Sequence, residues 1–317
     1  MTKVLMTRPL PETVQDAARA LFDLDVRQDT GPMSAAEMQA SLRDYDGVVP
    51  TLGDLYTQEI FDAVPDPRCR VLANFGVGYN HIDTGAARAA DIAVSNTPGA
   101  VTDATADTAM TLMLMSARRA GEGERIVRAG TWEGWHPTQL LGMHLGGKTV
   151  GIVGMGRIGQ AIARRCHYGF GMKVAYHSRS AKDLEFPAER SGSLPALAGS
   201  VDVLVIAVPG GDETHHLINA DIFDAMQGHA HLINIARGNV VEESALIKAL
   251  QTGKIAGAGL DVYEFEPVVP EALKAMENAV LLPHIGTAAL EVRTDMGMMT
   301  VENLKAFFAG KDLPNAV

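Results

Sequence analysis

Cysteine is nearly missing from this 317-residue chain, which carries only Cys69 and Cys166. Two thiols build no disulfide framework, and neither stands at a zinc-site spacing from histidine, so both read as buried apolar side chains in a reducing compartment. Positive charge is also short: 27 Lys and Arg face 38 Asp and Glu, for a formal charge of −11. That balance leaves no electrostatic footprint for a nucleic-acid backbone or an anionic membrane surface, although a few local cations still suffice for a small anion. No apolar run approaches the roughly 20 residues of a membrane span, and the strand-like run Met1–Met6 gives way at once to Arg8 and Pro9. Short-period repeats, low-complexity tracts and long charge runs are missing as well. These absences predict a cytoplasmic protein with neither a nucleic-acid nor a membrane partner.

What remains is ordinary globular material: 47% hydrophobic, 21% charged, 32 glycines and 15 prolines, a composition that excludes disorder. Single cores stop growing near this length, so two domains are expected. Short β-branched runs alternate with segments of helical period, the pattern of buried parallel strands joined by crossover helices. One series comprises Lys3–Met6, Gly47–Val49, Val71–Asn74 and Ile92–Val94, with helical spacing at Pro11–Phe22 and Ala35–Leu42. A second comprises Thr149–Val153, Lys173–Tyr176, Val201–Ala207, His231–Ile235, Gly257–Asp261 and Ala279–Leu282. The fold class is α/β: two doubly wound parallel-sheet domains with a cleft between them. Val101–Ala120, with an acidic start and an Arg-Arg end, reads as one long helix and as the inter-domain hinge. The segment Ala288–Ala309 places Val292, Met296, Met299, Leu304 and Phe307 at helical spacing and returns to the first unit. The expected division is a discontinuous substrate domain, 1–98 with 287–317, and a dinucleotide-binding domain, 99–286.

The apolar strand Thr149–Val153 runs into Gly154-Met155-Gly156-Arg157-Ile158-Gly159 and then a helix start. A G-x-G-x-x-G gains meaning from this strand–turn–helix setting. Gly154 permits the tight turn, Gly156 lets a pyrophosphate approach the backbone, and Gly159 lets helix and strand pack closely, with the pyrophosphate on the helix's positive end. An acid to hold the ribose hydroxyls is expected about 20 residues further on, but the next strand ends in His177-Ser178-Arg179-Ser180. Two hydroxyls and a guanidinium suit a 2′-phosphate, so NADP(H) is the preferred cofactor and NAD(H) the second candidate.

Later strands lead into Asn234-Ile235-Ala236-Arg237-Gly238, Asp261-Val262-Tyr263-Glu264-Phe265-Glu266-Pro267 and Pro283-His284-Ile285-Gly286. All three stretches stand at the carboxyl ends of strands, where open parallel sheets place ligands. Together with Asn74-Phe75-Gly76-Val77-Gly78-Tyr79-Asn80, Asn96-Thr97-Pro98-Gly99, Ala104-Thr105-Ala106-Asp107 and Val208-Pro209, the chain resembles the D-isomer-specific 2-hydroxyacid dehydrogenase family over nearly its whole length. The resemblance implies a catalytic set of Arg237, Glu266 and His284 and a substrate-carboxylate loop at Val77 and Gly78. Leu52 and His284 join Arg237 around the substrate. On the cofactor side it implies Thr105, the turn Gly154–Gly159, the loop His177–Ser180, Val208, Pro209, Thr214, Ile235, Ala236, Arg237, Asp261, His284 and Gly286. Two departures stand out: His177 replaces the expected acid, and Gly286-Thr287-Ala288-Ala289 replaces the Gly-Ser-Ala-Thr of many members.

The chemistry asks for the same residue types. Hydride delivery to the carbonyl carbon of a 2-oxo acid leaves negative charge on the oxygen, so a proton donor and a fixed cation must face it. His284 and Arg237 fit those roles, and a carboxylate at Glu266 orients the imidazole and favours its protonated form. Arg237 bridges the substrate carboxylate and carbonyl, the N–H groups of Val77 and Gly78 hold the carboxylate from the other domain, and closure completes the site. Asp261 either holds the nicotinamide carboxamide or buttresses Arg237. His215-His216 and His229-x-His231 lack a third metal ligand at useful spacing and read as loop and strand residues, with His216 near the cofactor; no metal is expected. The irregular stretch Gly130–Gly147, with Trp132 and Trp135, is by the resemblance an arm that packs on a second subunit in a homodimer. The short loop Thr51-Leu52-Gly53-Asp54 looks like the glyoxylate/hydroxypyruvate reductase branch, with 2-ketogluconate reductase next and a non-catalytic NAD(H)-sensing protein as the rival class.

Overall fold

Apart from two edge strands, the strand segments are rich in valine, isoleucine and leucine on both faces, and in the computed structural model, which describes residues 1–317, every strand pairs in parallel. The chain separates into two units, Met1–Val101 with Thr287–Val317, and Thr102–Gly286. No helix is long and apolar enough to cross a membrane.

The first unit holds β1 (Lys3–Met6), β2 (Asp23–Val26), β3 (Gly47–Val49), β4 (Val71–Ala73) and β5 (Ala93–Ser95) in the order β2-β1-β3-β4-β5. This is the flavodoxin-like doubly wound order. Leu5, Leu42, Val48, Tyr56 and Leu72 fill one face. The last helix, Leu290–Phe308, packs against the helix Glu12–Arg19 and against β4. Met296 and Leu304 on it are buried, whereas Val292, Met299 and Phe307 are half-buried, so the methionine-bearing stripe is largely core. The close approach is set by Gly297, where a Cβ would stand 2.6 Å from a methyl of Val14. The final residues then pair along β5, with Val317 N–H donating to Val94 and Asn96 N–H to Asn315.

The second unit holds β6 (Thr149–Val153), β7 (Lys173–His177), β8 (Ala188–Arg190), β9 (Val203–Ile206), β10 (His231–Asn234), β11 (Gly257–Leu260) and β12 (Ala279–Leu281). Their order, β12-β11-β10-β9-β6-β7-β8, is the dinucleotide-fold order with one strand added, and the winding reverses between β6 and β9. Alternate residues feed opposite cores. Val203 and Val205 join Ile152 and Ile233 on one face, and Leu204 and Ile206 join Leu232 and Leu260 on the other. Burial on both faces is why these strands read as continuous apolar runs.

Three sequence expectations change. β2 and β8 were not anticipated; both are edge strands, and their sequences DLDV and AER lack an apolar run. The expected helix Val101–Ala120 is two helices, Thr102–Ala117 and Ala120–Arg128. At the break, Met143 N–H donates to the Ala117 carbonyl at 2.7 Å, and Arg119 turns left-handed at φ 51° with its guanidinium on Glu122. The first unit ends after Val101, not after Pro98, so the helix Thr102–Ala117 opens the second unit.

Candidate active site

Every segment singled out after the glycine turn leaves a strand of the second unit at its carboxyl end. Gly154 sits at φ +97°, where a Cβ would lie 2.7 Å from the Ala207 carbonyl oxygen, and a Cβ on Gly159 would lie 2.1 Å from the Gly154 oxygen. Only glycine lets β6, β9 and the helix Arg157–Arg164 converge this closely. Gly156 faces open space, and the unpaired first N–H groups of the helix begin beside it. Arg157 is exposed and Ile158 half-buried, but the Met155 side chain is buried in the core and offers the turn only its backbone.

Beyond β7, His177 meets the Ser191 carbonyl at 3.3 Å and Ser178 Oγ donates to Ser180 O at 2.6 Å. The Arg179 side chain is 91% exposed, 3.4 Å from Glu213. Arg190 on β8 was not anticipated, yet its Nη2 donates to the carbonyls of Ser178 and Arg179 at 3.0 and 3.2 Å, adding a cation beneath the loop. After β9, Thr214 Oγ1 donates to the Pro209 carbonyl at 2.8 Å and folds that loop back on itself.

The next three loops interlock. Asn234 shapes the turn after β10, with Ala236 N–H donating to its Oδ1 and its Nδ2 donating to the Arg237 carbonyl, each at 3.0 Å. Ile235 and Ala236 are buried and Arg237 is half-buried. Gly238 lies so close to the next loop that a Cβ would fall 1.8 Å from the Tyr263 carbonyl carbon, which brings the arginine's turn against the loop bearing Glu266. Glu266 accepts from Tyr263 N–H at 3.0 Å through Oε1 and pairs with His284 Nδ1 at 2.8 Å through Oε2. His284 stands at φ +53°, a conformation costly for a non-glycine residue. Asp261 holds it there: Oδ1 accepts from Ile285 N–H at 2.7 Å and Oδ2 from Gly286 N–H at 2.8 Å. Beside the two roles expected for Asp261, it buttresses the histidine turn. Thr105, buried on the helix Thr102–Ala117, borders Gly286.

The charges follow this packing. Burial pushes the Glu266 carboxyl up, but the hydrogen bond and charge of His284, the Tyr263 N–H and the charge of Arg237 outweigh it and hold the group below its ordinary value. Burial draws the Arg237 guanidinium down from its ordinary value, opposed by Glu266. Burial lifts the Asp261 carboxyl above its usual range, against the pull of the Ile285 N–H, the His284 charge and the Gly286 N–H.

In the first unit, Leu52 projects half-exposed from a turn pinned by buried Asp54, which accepts from Thr7 Oγ1, Thr51 N–H and Arg8 at 2.6–3.0 Å. After β4, Asn74 donates to the carbonyls of Gly76 and Gly78 and Asn96 to that of Val77, which fixes the shape of the loop.

A sequence profile for the D-isomer specific 2-hydroxyacid dehydrogenase, NAD binding domain, matches residues 110–286. The glyoxylate reductase of Thermococcus onnurineus is 43% identical across 99% of this chain and 95% of its own. The chain belongs to the D-isomer specific 2-hydroxyacid dehydrogenase family. The glycerate dehydrogenase of Hyphomicrobium methylovorum is 36% identical across 99% of this chain and 98% of its own. Among solved structures, the NADPH-dependent glyoxylate/hydroxypyruvate reductase of Sinorhizobium meliloti, in complex with NADP and malonate, superposes with a TM-score of 0.88 at 38% identity, covering 100% of this chain and 96% of the other.

In this dehydrogenase the residues that sequence reasoning overlooked are those that hold others in place. Asn234, Tyr263 and Arg190 act through backbone groups, a job visible only after folding. Asp261 yields a direct test. Asparagine keeps its size but turns an NH2 toward one of two buried N–H donors, so Asp261→Asn is expected to cost about 1–3 kcal/mol of stability. Denaturant unfolding measures it, and an unchanged midpoint would mean that the histidine turn is held by other groups.

Proposed function

We propose that this dehydrogenase reduces small 2-oxo acids, glyoxylate and hydroxypyruvate to glycolate and D-glycerate, with NADPH preferred over NADH. The observation that carries the reading is the 2.8 Å bond between His284 Nδ1 and Glu266, which leaves the second imidazole nitrogen for proton exchange. The glycine turn suits a dinucleotide: it is open at Gly156, closed at Gly154 and Gly159, and followed by a helix start. When bound, the reduced nicotinamide supplies the hydride. Arg237 then bridges the substrate's carboxylate and carbonyl, and in the first unit the N–H groups of Val77 and Gly78 suit an anionic group. Glu266, held below the ordinary carboxyl range, is an anion at neutral pH and orients the His284 ring through Nδ1. The protonated ring gives its proton to the oxygen as negative charge develops there. The names of the Thermococcus and Sinorhizobium relatives support the choice of substrate.

NADPH preference rests on the missing acid at His177–Ser180 and on the cations Arg179 and Arg190 at that loop. We further assign the stretch 130–147, which holds neither helix nor strand and exposes Trp132, Trp135 and Leu141, to a homodimer arm. Both cysteines are free and buried, which fits a cytoplasmic location.

Three outcomes follow. In pH–rate profiles with glyoxylate, reduction falls as pH rises and the imidazolium is lost, and oxidation of glycolate shows the opposite limb. Glu266→Gln removes the anion that pairs with His284 Nδ1 and is expected to lower kcat for reduction, while His284→Ala loses most turnover yet still binds NADPH. Near-normal kcat in either variant assigns the proton to another group. Arg179→Ala is expected to lower kcat/KM for NADPH by roughly tenfold to a hundredfold, the worth of a charge-assisted contact, with little change for NADH; an unchanged ratio removes Arg179 from cofactor selection. Light scattering at micromolar concentration is expected to report twice the chain mass, and a monomer refutes the arm.

A further inference from the structure

Two adjacent side chains normally point apart, yet the rings of His215 and His216 stack with centroids 4.0 Å apart at an interplanar angle of 30°. The cause is His216, which takes the left-handed φ of +49°. Its backbone is held there by its N–H, which donates to the Asn239 carbonyl at 2.8 Å. The third ligand that the local sequence lacks arrives from the loop after β11. Glu264 Oε1 lies 2.6 Å from His216 Nε2, and one donor atom each from His215, His216 and Glu264 fall within 4.8 Å of one another. Glu264 is already oriented, since its Oε2 accepts from Glu243 N–H at 3.2 Å and its own N–H donates to Glu243 Oε1 at 3.3 Å. Backbone donors that fix a ligating carboxylate in this way are the usual outer support of a metal site.

We infer that His215, His216 and Glu264 form a binding site for a borderline divalent cation such as Zn2+. Two imidazoles and one carboxylate suit zinc, cobalt or nickel, whereas calcium and magnesium need an all-oxygen set. Ligand bonds of about 2.0–2.2 Å place donors in a tetrahedral shell roughly 3.3 Å apart. The cluster reaches that spacing when the exposed His215 ring swings inward and the His216–Glu264 contact opens slightly. The fourth position faces solvent and takes water. Hydride transfer needs no metal, and Glu264 points away from the proton pair: its neighbour two positions on, Glu266, faces His284, whereas Glu264 faces His216. A bound cation is therefore a clamp that ties the loop after β9 to the loop that carries Glu266.

The experiment uses the full-length, metal-stripped protein titrated with Zn2+ by calorimetry and with Co2+ by visible absorption. One saturable site per chain is expected, with a ligand-field band of low coordination number for Co2+ and a Zn2+-dependent rise in Tm, since the cation binds the native state preferentially. His215→Ala, at an exposed position that folding does not depend on, is expected to weaken Zn2+ at least about tenfold, and Glu264→Gln to do the same while keeping the hydrogen bond from Glu243 N–H. His229→Ala serves as the control, because His229 pairs with Asp202 elsewhere on the unit. Absence of saturable binding, or equal affinity in wild type and His215→Ala, overturns the site and leaves His216–Glu264 as an ion pair only. Loss of binding in His229→Ala with retention in His215→Ala moves the cation to the other histidines and equally overturns it.

Discussion

Parallel pairing through all seven strands of the Thr102–Gly286 unit sends every strand-to-helix turn out on the same edge, and the chemistry of this protein depends on that constraint. A parallel sheet needs crossovers on both faces, so its interior is sealed by two apolar cores and no polar group can reach a ligand through either face. The carboxyl edge is what remains. It collects the glycine turn after β6, the serine–arginine loop after β7, the arginine after β10, the acids after β11 and the histidine after β12. Residues about fifty positions apart in the chain, such as Gly154 and Ala207, become neighbours through strand order alone.

Within that edge, precision comes from carboxylates whose two oxygens have different duties. Glu266 spends one oxygen on the Tyr263 N–H and the other on His284, so the imidazole is aimed by a group that is itself fixed to backbone. Asp261 spends both on the backbone just after the histidine and so offsets a conformation that costs on the order of 1–3 kcal/mol in a residue with a side chain. Burial works against both acids; the hydrogen bonds and cations around Glu266 outweigh it, whereas at Asp261 burial prevails. The half-buried Arg237 faces the same desolvation with the sign reversed, and Glu266 supplies its compensation.

Much of this was legible before folding. The runs TVGIV and VLVI announce buried strands because both faces are covered. The glycines at 154 and 159 announce a turn because nothing larger fits there. Arg237, Glu266 and His284 stood out through motif and chemistry together. The rest depended on tertiary facts with no local signature. β2 and β8 are edge strands whose pairing needs a neighbour and not an apolar pattern. The helix after Val101 has residues that favour continuing past Ala117, and at the break Met143, far along the chain, donates to the Ala117 carbonyl. Asp261 was recognised as part of the site, but its partners Ile285 and Gly286 lie on another loop, so its hold on the histidine turn had no local signature.

The return of Leu290–Phe308 to the first unit also orders events in time. Until that helix is made, Val14, Gly47 and β4 lack the surface contributed by Gly297, Leu304, Phe308 and the rest of that helix. Synthesis proceeds from the amino terminus, and the whole of Thr102–Gly286 emerges while the first unit waits half-built. The inserted unit, continuous in sequence, can complete its core first. The amino-terminal third of the chain thus spends most of translation as an apolar sheet awaiting its last helix, and in that interval it is the part of the nascent chain that most needs a chaperone's cover.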